Sequence, residues 1–263
     1  MQTAINAAIE AGKEIMKIYQ TDFNVAYKED ESPLTIADER AHYIIKTKLE
    51  QKDPHVPILS EEGNHLSYDK RASWKTFWLV DPLDGTKEFI KKNGEFTVNI
   101  ALIEGETPIF GVIYAPAMDV LYAGDKEKGA VKIEKASQNK NWDTLFEHGT
   151  ALPLSTQKDQ KVSVVASRSH MSEETKQFIQ KLEKEYDEVE TISAGSSLKL
   201  CLVAEGKADF YPRYAPTMEW DTGAGHAIVE AAGGIVTNVE EKKPLVYNKK
   251  ELKNPWFLAQ NKK

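Results

Sequence analysis

The hydrophobic pattern divides the chain into a first part rich in strands and a second part in which strands and helices alternate. Residues 2–20 and the segment after Thr35 carry apolar side chains at the i, i+3, i+4 spacing of helices. Short apolar runs bounded by Gly, Pro or polar residues then follow at 57–60, 77–80, 96–102, 109–114, 120–123 and 130–133. Two helices followed by such strands predict an antiparallel meander within a layered α+β structure.

A polar segment at about 135–160 interrupts this pattern, and we expect a domain boundary there. Beyond it the pattern predicts strands at 162–166, 189–192 and 208–211, and helices at 172–185, 196–205 and 221–232. Such alternation is typical of an α/β unit. We therefore expect an N-terminal α+β domain over residues 1–135 and a C-terminal α/β domain over residues 136–263.

Composition and charge exclude several classes of protein. The 263 residues are 41% hydrophobic and 29% charged, with a formal net charge of −7. A negative surface argues against nucleic-acid binding, which needs a basic footprint. The single cysteine excludes an intrachain disulfide and fits a reducing compartment. Without a recognisable secretory leader or an apolar run of membrane-spanning length, we expect a cytoplasmic protein, with peripheral association on the inner membrane left open.

Two carboxylates lie close together after the most apolar of these strands. The run 77–80 predicts a buried strand that ends at Asp81, since Pro82 has no N–H for the next ladder bond. Asp84 follows three residues later, in a turn expected to close at Gly85. Carboxylates at such spacing repel each other unless a proton or a cation such as Mg²⁺ neutralises them.

Two neighbours could complete such a metal site. The carbonyl of Leu83 offers another oxygen ligand, and the hydroxyl of Thr86 lies within reach of a water molecule on the metal. Asp, Pro and Gly are also ordinary turn formers, however, so an isolated Asp-x-x-Asp is more often a plain turn than a metal site.

Four further acidic residues lie where predicted elements begin or end. Asp38 lies in the first turn of the second helix, where it could instead complement the helix dipole. Glu61 and Glu62 end the strand 57–60, although acidic pairs are usually solvated. Asp221 stands at the expected start of a helix and could be a simple N-cap.

The second half carries groups suited to an anion. Residues 195–199, Gly-Ser-Ser-Leu-Lys, form a small-residue turn into a helix start, whose N–H groups suit a phosphate, though a plain cap fits equally. Arg168 and His170 follow a strand, and Arg213 follows another. They suit a phosphate or a base, or they are solvated surface side chains.

Four motifs occur in order: K-x-D-x-S-P-L-T-x-A-D at 28–38, I-L-S-E-E at 58–62, W-L-V-D-P-L-D-G-T at 78–86 and W-D-x-x-A-G at 220–225. Together they resemble the inositol monophosphatase superfamily of lithium-sensitive, magnesium-dependent phosphatases, over about residues 28–235. Residues 195–209 and 211–213 are similar, within it, to the bacterial 3'(2'),5'-bisphosphate nucleotidases of the CysQ type. Two departures, Gly223 where alanine is common and Asp209-Phe210 in a variable stretch, bear on substrate fit.

The resemblance implies a fold, a cofactor and roles for individual residues. The fold would be a layered αβαβα sandwich of the inositol monophosphatase and fructose-1,6-bisphosphatase type, with the site between its halves and two or three Mg²⁺ ions. The implied metal ligands are Glu61, Asp81, Asp84, Asp221 and the carbonyl of Leu83. The implied catalytic residues are Asp38, Thr86 and Glu61. The implied substrate contacts are Glu61, Asp84, Gly85, Thr86, His170, Gly195, Ser196, Ser197, Lys199, Arg213 and Asp221.

The implied activity is that of a phosphoric monoester hydrolase of nucleotide and sulfur metabolism. It would remove the 3'-phosphate of adenosine 3',5'-bisphosphate, giving AMP and phosphate, and would act as a monomer or homodimer. One alternative is a phosphatase of the same superfamily acting on inositol monophosphate or a sugar phosphate. Another is a catalytically silent phosphometabolite-binding protein, which the intact set of acidic residues and Thr86 disfavours.

Overall fold

The computed structural model describes residues 1–22, 25–27, 33–64, 66–139, 141–154, 161–166 and 171–261. The first half contains α1 (Gln2–Tyr19), β1 (Val25–Tyr27), β2 (Pro33–Thr35), α2 (Ile36–Lys52), β3 (Ile58–Ser60), α3 (Tyr68–Arg71), β4 (Thr76–Asp84), α4 (Thr86–Ile90), β5 (Thr97–Glu104), β6 (Thr107–Ala115), β7 (Val120–Asp125) and β8 (Gly129–Glu134). After a 3₁₀ turn come α5 (Leu145–His148), β9 (Thr150–Leu152), β10 (Lys161–Ala166), α6 (Glu173–Leu182), β11 (Glu188–Ser193), α7 (Leu198–Ala204), β12 (Phe210–Arg213), α8 (Glu219–Ala231), β13 (Ile235–Asn238) and β14 (Phe257–Gln260). No helix in these ranges combines the length and apolar character needed to cross a membrane.

Two sheets form the framework. The larger has seven strands in the order β3-β4-β5-β6-β7-β8-β9, with β3 parallel to β4 and the remaining pairs antiparallel. The smaller has the order β11-β10-β12-β14-β13. The predicted meander is confirmed as β5 to β8. Strand β9 lies beyond the expected boundary at residue 135 and still pairs with β8, and the division into two domains stays a prediction.

The larger sheet is buried on both faces because its side chains alternate. Trp78 and Val80 of β4 pack with α1 and α2, whereas Phe77 and Leu79 pack with α7 and α8. The smaller sheet packs on the other side of α7 and α8, and α6 covers its far face through Leu182. The layers are therefore helix, sheet, helix, sheet, helix, which confirms the predicted αβαβα sandwich.

Helix α8 lies unusually close to the larger sheet. Gly111 in β6 and Gly124 in β7 face it, and a Cβ at Gly124 would stand 2.6 Å from the Cα of Ile228. A Cβ at Gly111 would collide with the backbone of Ala224. The two glycines thus allow direct contact between helix and strands, and this contact fixes where the first turn of α8 meets β4.

Several element boundaries differ from the prediction. Strand β4 does not end at Asp81 but continues through Pro82 to Asp84. Asp81 is therefore not at a sheet edge: it is 1% exposed and lies opposite Asn99 of β5. Helix α8 begins at Glu219, two residues before the predicted start. The short strands β13 and β14 were not predicted, since each is defined by pairing with a distant partner.

Candidate active site

A shift of register in β4 brings two carboxylates to the same side of the sheet. Asp81 pairs with Asn99, whereas Asp84 pairs with Thr97, so three steps along β4 match two along β5. Earlier in the strand the even-numbered residues Trp78 and Val80 face α1 and α2. After the shift the odd-numbered Leu83 faces these helices instead. Asp81 and Asp84 therefore both face α8, and the predicted tight turn is a bulged strand end.

Three carboxylates from three separate elements converge beside this bulge. Glu61, directly after β3, Asp81 and Asp221 each place one oxygen within 4.8 Å of the others. The backbone N–H of Glu61 donates to the carbonyl of Val80 at 3.1 Å, which ties it to β4. An all-oxygen set of this kind is what Mg²⁺ and other hard cations prefer, so the residues fit the implied metal.

Burial makes this cluster unfavourable in the charged state without a cation. It raises the pKa of Asp81 well above its usual value, and the neighbouring Glu61 carboxylate raises it further. Burial also raises the pKa of Asp221 to about 8, with Asp84 as the next cause. Such perturbed carboxylates in one place are typical of a functional site rather than of a solvated surface.

Asp221 is not the helix N-cap that its position in the sequence also allowed. It lies in the third position of α8, and its Oδ2 accepts a hydrogen bond from the N–H of Met218 at 2.8 Å. That bond leaves the other carboxylate oxygen for the cluster and fixes the orientation of the group.

Asp84 is held from the second half of the chain. Ser197 Oγ donates to Asp84 Oδ2 at 2.6 Å, and Asn99 Nδ2 lies 2.8 Å from the same Oγ. Helix α7 begins at Leu198, so the Ser197 hydroxyl contacts a carboxylate rather than capping the helix. The alternative of a plain side-chain cap is therefore wrong for Ser197, and anion binding by this turn stays a prediction.

Asp38 and Thr86 form a second polar group next to the cluster. Asp38 is 2% exposed, and its Oδ2 accepts from the N–H and the Oγ of Thr35 at 2.8 and 2.7 Å. Its Oδ1 lies 3.3 Å from Thr86 Oγ, which is also 3.4 Å from the Leu83 carbonyl. The predicted helix cap at Thr35 is confirmed. Asp38 is not the surface carboxylate that its position in the first helical turn also allowed, because it is buried and contacts Thr86, 48 residues away.

A cleft of about 510 Å³ opens from this cluster. Most of the sequence-predicted contacts line it, namely Asp84, Gly85, Ser196, Ser197, Lys199, Arg213 and Asp221. Burial lowers the pKa of Lys199, whose Nζ donates to the carbonyl of Ala194 at 3.3 Å. The cleft therefore contains cationic groups as well as carboxylates.

The turn 194–197 lies against the residues that follow β4. Ser196 adopts a positive φ of 44°, and its buried Oγ has no hydrogen-bond partner among the described residues. A Cβ at Gly195 would stand 2.8 Å from the carbonyl oxygen of Glu95, and one at Gly85 3.2 Å from the Cβ of Ser196. Both glycines thus permit a close approach between the two turns.

The sequence analysis did not single out three residues that contact or line the site, Asn99, Lys87 and Lys91. Asn99 was not singled out, although an amide in the middle of an apolar strand was a visible signal. Lys87 in α4 and Lys91, directly after that helix, also line the cleft. Arg168 and His170, and residues 28–32 of the first motif, lie outside the described residues.

Comparison with known proteins places these features in a family. The model of the inositol monophosphatase family matches residues 1–261. The chain is 46% identical over 253 residues to the 3'(2'),5'-bisphosphate nucleotidase CysQ of Escherichia coli (strain K12), covering 95% of each protein. It is 44% identical over 260 residues to the protein of that name from Salmonella typhimurium, covering 98% of each.

A solved structure agrees with the sequence relatives. The crystal structure of CysQ from Bacteroides thetaiotaomicron, a bacterial member of the inositol monophosphatase family, superposes with a TM-score of 0.90 at 48% identity, covering 100% of this chain and 97% of that one. The resemblance inferred from the four motifs is thereby confirmed. On its sequence, its layered fold and its relatives, the chain belongs to the inositol monophosphatase family.

Proposed function

We propose that this protein is a Mg²⁺-dependent 3'(2'),5'-bisphosphate nucleotidase that converts adenosine 3',5'-bisphosphate to AMP and phosphate. The observation that carries the proposal is the convergence of Glu61, Asp81 and Asp221 beside a cationic cleft. Relatives named for this activity match nearly the full length of the chain at 44–46% identity. These matches cover 95% and 98% of the length of the two relatives.

Glu61, Asp81 and Asp221, with Asp84 and the Leu83 carbonyl, are the residues that would hold two or three Mg²⁺ ions. Bound there, the cations would lower the pKa of a water molecule and neutralise charge on the phosphoryl group and the leaving oxygen. Asp81 is buried, and the carboxylates of Asp81 and Asp221 are oriented by hydrogen bonds from the backbone N–H groups of Leu83 and Met218. An anionic substrate could then approach an otherwise acidic protein.

Thr86 and Asp38 are proposed to direct the attacking water. Because Thr86 Oγ donates its proton toward Asp38, its lone pairs are left to accept a proton from that water. Asp38 would take up the proton through the Thr86 hydroxyl, while its other oxygen stays bonded to Thr35. Glu61, whose carboxylate lies in the acidic cluster, is proposed as the third catalytic residue.

The cleft residues are proposed to bind the nucleotide itself. Lys199 and Arg213 line the same cleft as Asp84 and Asp221 and would bind the second phosphate, which inositol monophosphate does not have. Ser196 offers a buried hydroxyl without a protein partner among the described residues. The turns at Gly85 and Gly195 would bound the sugar, and His170 remains a proposed contact.

The cellular setting is also a proposal. We infer that the protein acts in the cytoplasm as a monomer or homodimer on a small-molecule substrate, without binding nucleic acid. The formal net charge of −7 supports the last point, and the buried free thiol of Cys201 suits a reducing compartment. Peripheral association with the inner membrane is left as an open alternative.

The test is phosphate release from adenosine 3',5'-bisphosphate and from inositol 1-phosphate, with Mg²⁺, with a chelator, and with Li⁺ added. We expect strong preference for the nucleotide, loss of release with chelator and inhibition by Li⁺. An Asp81→Asn preparation serves as the control for contaminating phosphatases. Preference for inositol 1-phosphate would refute the proposed substrate. Phosphate release that persists in the presence of chelator would refute the proposed metal dependence.

A further inference from the structure

A loop near the C-terminus, residues 247–254, lies across the start of α8; we call it the C-terminal strap. Its last residue, Asn254, is 6% exposed and bonds through both backbone and side chain. The Asn254 N–H donates to the carbonyl of Thr217 at 2.8 Å, and its Nδ2 donates to the carbonyl of Met218 at 2.7 Å. One residue therefore holds the two successive carbonyls that lead into the helix.

The first of these two peptide groups also contains the N–H that orients the Asp221 carboxylate. The N–H in the plane of the Thr217 carbonyl is that of Met218, which donates to Asp221 Oδ2 at 2.8 Å. The next N–H, that of Glu219, donates to the carbonyl of Leu252 in the strap at 2.9 Å. Because a peptide group is planar, fixing the Thr217 carbonyl fixes the direction of the Met218 N–H and of the carboxylate it binds.

Glu219 makes a second connection between the helix and the strap. Its carboxylate is fully buried and accepts from the N–H of Asn248 at 2.7 Å and from the N–H and Nζ of Lys249 at 3.0 and 2.6 Å. A buried carboxylate is tolerated only when its oxygens are satisfied in this way. Glu219, the first residue of α8, is thus bonded to the strap at two places, residues 248–249 and Leu252.

Arg71 of α3 holds the strap from its other side. It is 2% exposed, and its guanidinium donates to Asn248 Oδ1 at 2.7 Å and to the carbonyls of Lys249 and Lys250 at 2.6 and 3.0 Å. Asn248 Nδ2 in turn donates to the carbonyl of Arg71 at 2.8 Å. The strap is therefore anchored independently of α8 and can act as a fixed support.

We propose that the C-terminal strap, through Asn254 and Glu219, is a positioning device for Asp221 that sets the affinity of the site for Mg²⁺. The inference rests on the proposed metal site. Neither residue lines the cleft, so both act through Asp221 rather than on the substrate. Residues that orient a metal ligand from behind contribute about 10- to 100-fold to metal affinity in other proteins.

The test compares the wild type with Asn254→Ala, Glu219→Gln and a control, Asp125→Asn. Asp125 is also a buried carboxylate that accepts backbone N–H bonds, but it ends β7, three strands away from β4 in the sheet. Metal-free protein is titrated with Mg²⁺ in a calorimeter, and thermal unfolding is recorded with and without Mg²⁺. Glu219→Gln keeps the shape of the side chain and decides the question if Asn254→Ala does not fold.

We expect a Mg²⁺ dissociation constant about tenfold higher in Asn254→Ala and Glu219→Gln, and within twofold of the wild type in Asp125→Asn. All three are expected to lower the unfolding temperature of the metal-free protein, which is what a merely structural role would do. Mg²⁺ affinity within twofold of the wild type in the folded strap variants would overturn the positioning role. A wild type that binds no Mg²⁺ would instead overturn the proposed metal dependence.

Discussion

The hydroxyl of Ser197 lies 2.6 Å from Oδ2 of Asp84, and this contact joins the two halves of the site. Ser197 precedes α7, whereas Asp84 ends β4, 113 residues earlier in the chain. Asn99 donates to the same hydroxyl at 2.8 Å, and the backbone carbonyl of Asp221 lies 2.9 Å from it as a second acceptor. The orientation of one proposed metal ligand therefore depends on a residue beside the substrate cleft.

Replacing Ser197 with alanine should loosen Asp84. A hydrogen bond to a charged group is worth about 1.5–3 kcal/mol, so we expect the Mg²⁺ concentration for half-maximal activity to rise about tenfold. The matched control is Ser137→Ala, which removes a 2.7 Å bond to Asp119 outside the cleft. An equal Mg²⁺ requirement in the two variants would contradict this role for Ser197.

Asp81→Asn should abolish turnover without unfolding the protein. Burial and neighbouring carboxylates raise the pKa of Asp81, so a neutral amide of the same shape relieves repulsion in the metal-free state. We expect an unfolding temperature at or above that of the wild type without Mg²⁺, and no increase when Mg²⁺ is added. Normal Mg²⁺-dependent activity in this variant would refute the metal site.

Thr86→Val keeps the size of the side chain and removes the hydroxyl that contacts Asp38. If the hydroxyl directs the attacking water, kcat should fall about 100-fold, while the dissociation constant for Mg²⁺ stays within a few-fold. Thr86→Ser, which retains the hydroxyl, should recover most of the activity. A fall in metal affinity without a fall in kcat would assign Thr86 to the metal instead.

Arg213→Met tests how the cleft selects a bisphosphate. We expect KM for adenosine 3',5'-bisphosphate to rise about tenfold or more, since a charged hydrogen bond to the second phosphate is lost. KM for 3'-AMP, which lacks that phosphate, should change little and provides the internal control. Equal effects on both substrates would place Arg213 outside the second-phosphate site.

The stabilisation of the protein by Mg²⁺ should increase with pH. Asp221 has a folded-state pKa of about 8 without metal, far above its usual 3.8, so its contribution to stability is lost as pH rises toward 8. Mg²⁺ binds only the deprotonated group and therefore stabilises the protein most where this loss is greatest. Thermal unfolding with and without Mg²⁺ between pH 6 and pH 9, in the wild type and in Asp221→Asn, measures the effect. A pH-independent shift in the wild type would contradict it.

The sequence predicted the elements that carry the site better than their exact ends. The amphipathic stripes of α1 and α2 and the Thr35 cap are local signals, and all were recognisable. The continuation of β4 past Pro82 was not, because a proline normally stops a ladder, and only the pairing with β5 shows how the register adjusts. Likewise, nothing local to Asp81 indicates that it is buried.

The part of the site least visible in the sequence is the support behind Asp221. Glu219 looks like an ordinary acidic residue in a first helical turn, and residues 247–254 look like a polar loop. Their connection joins residues about thirty positions apart, through backbone amides that no side-chain pattern records. Long-range contacts of this kind are decided by the tertiary fold.

The register shift in β4 determines more than the path of one strand. In an uninterrupted strand, residues 81 and 84 would face opposite layers, because an odd separation reverses the face. Asp84 would then point among the aliphatic side chains beneath α1 and α2. The same sequence over residues 78–86 would then hold two separated carboxylates, so the proposed metal site depends on the extra backbone step as much as on the acids themselves.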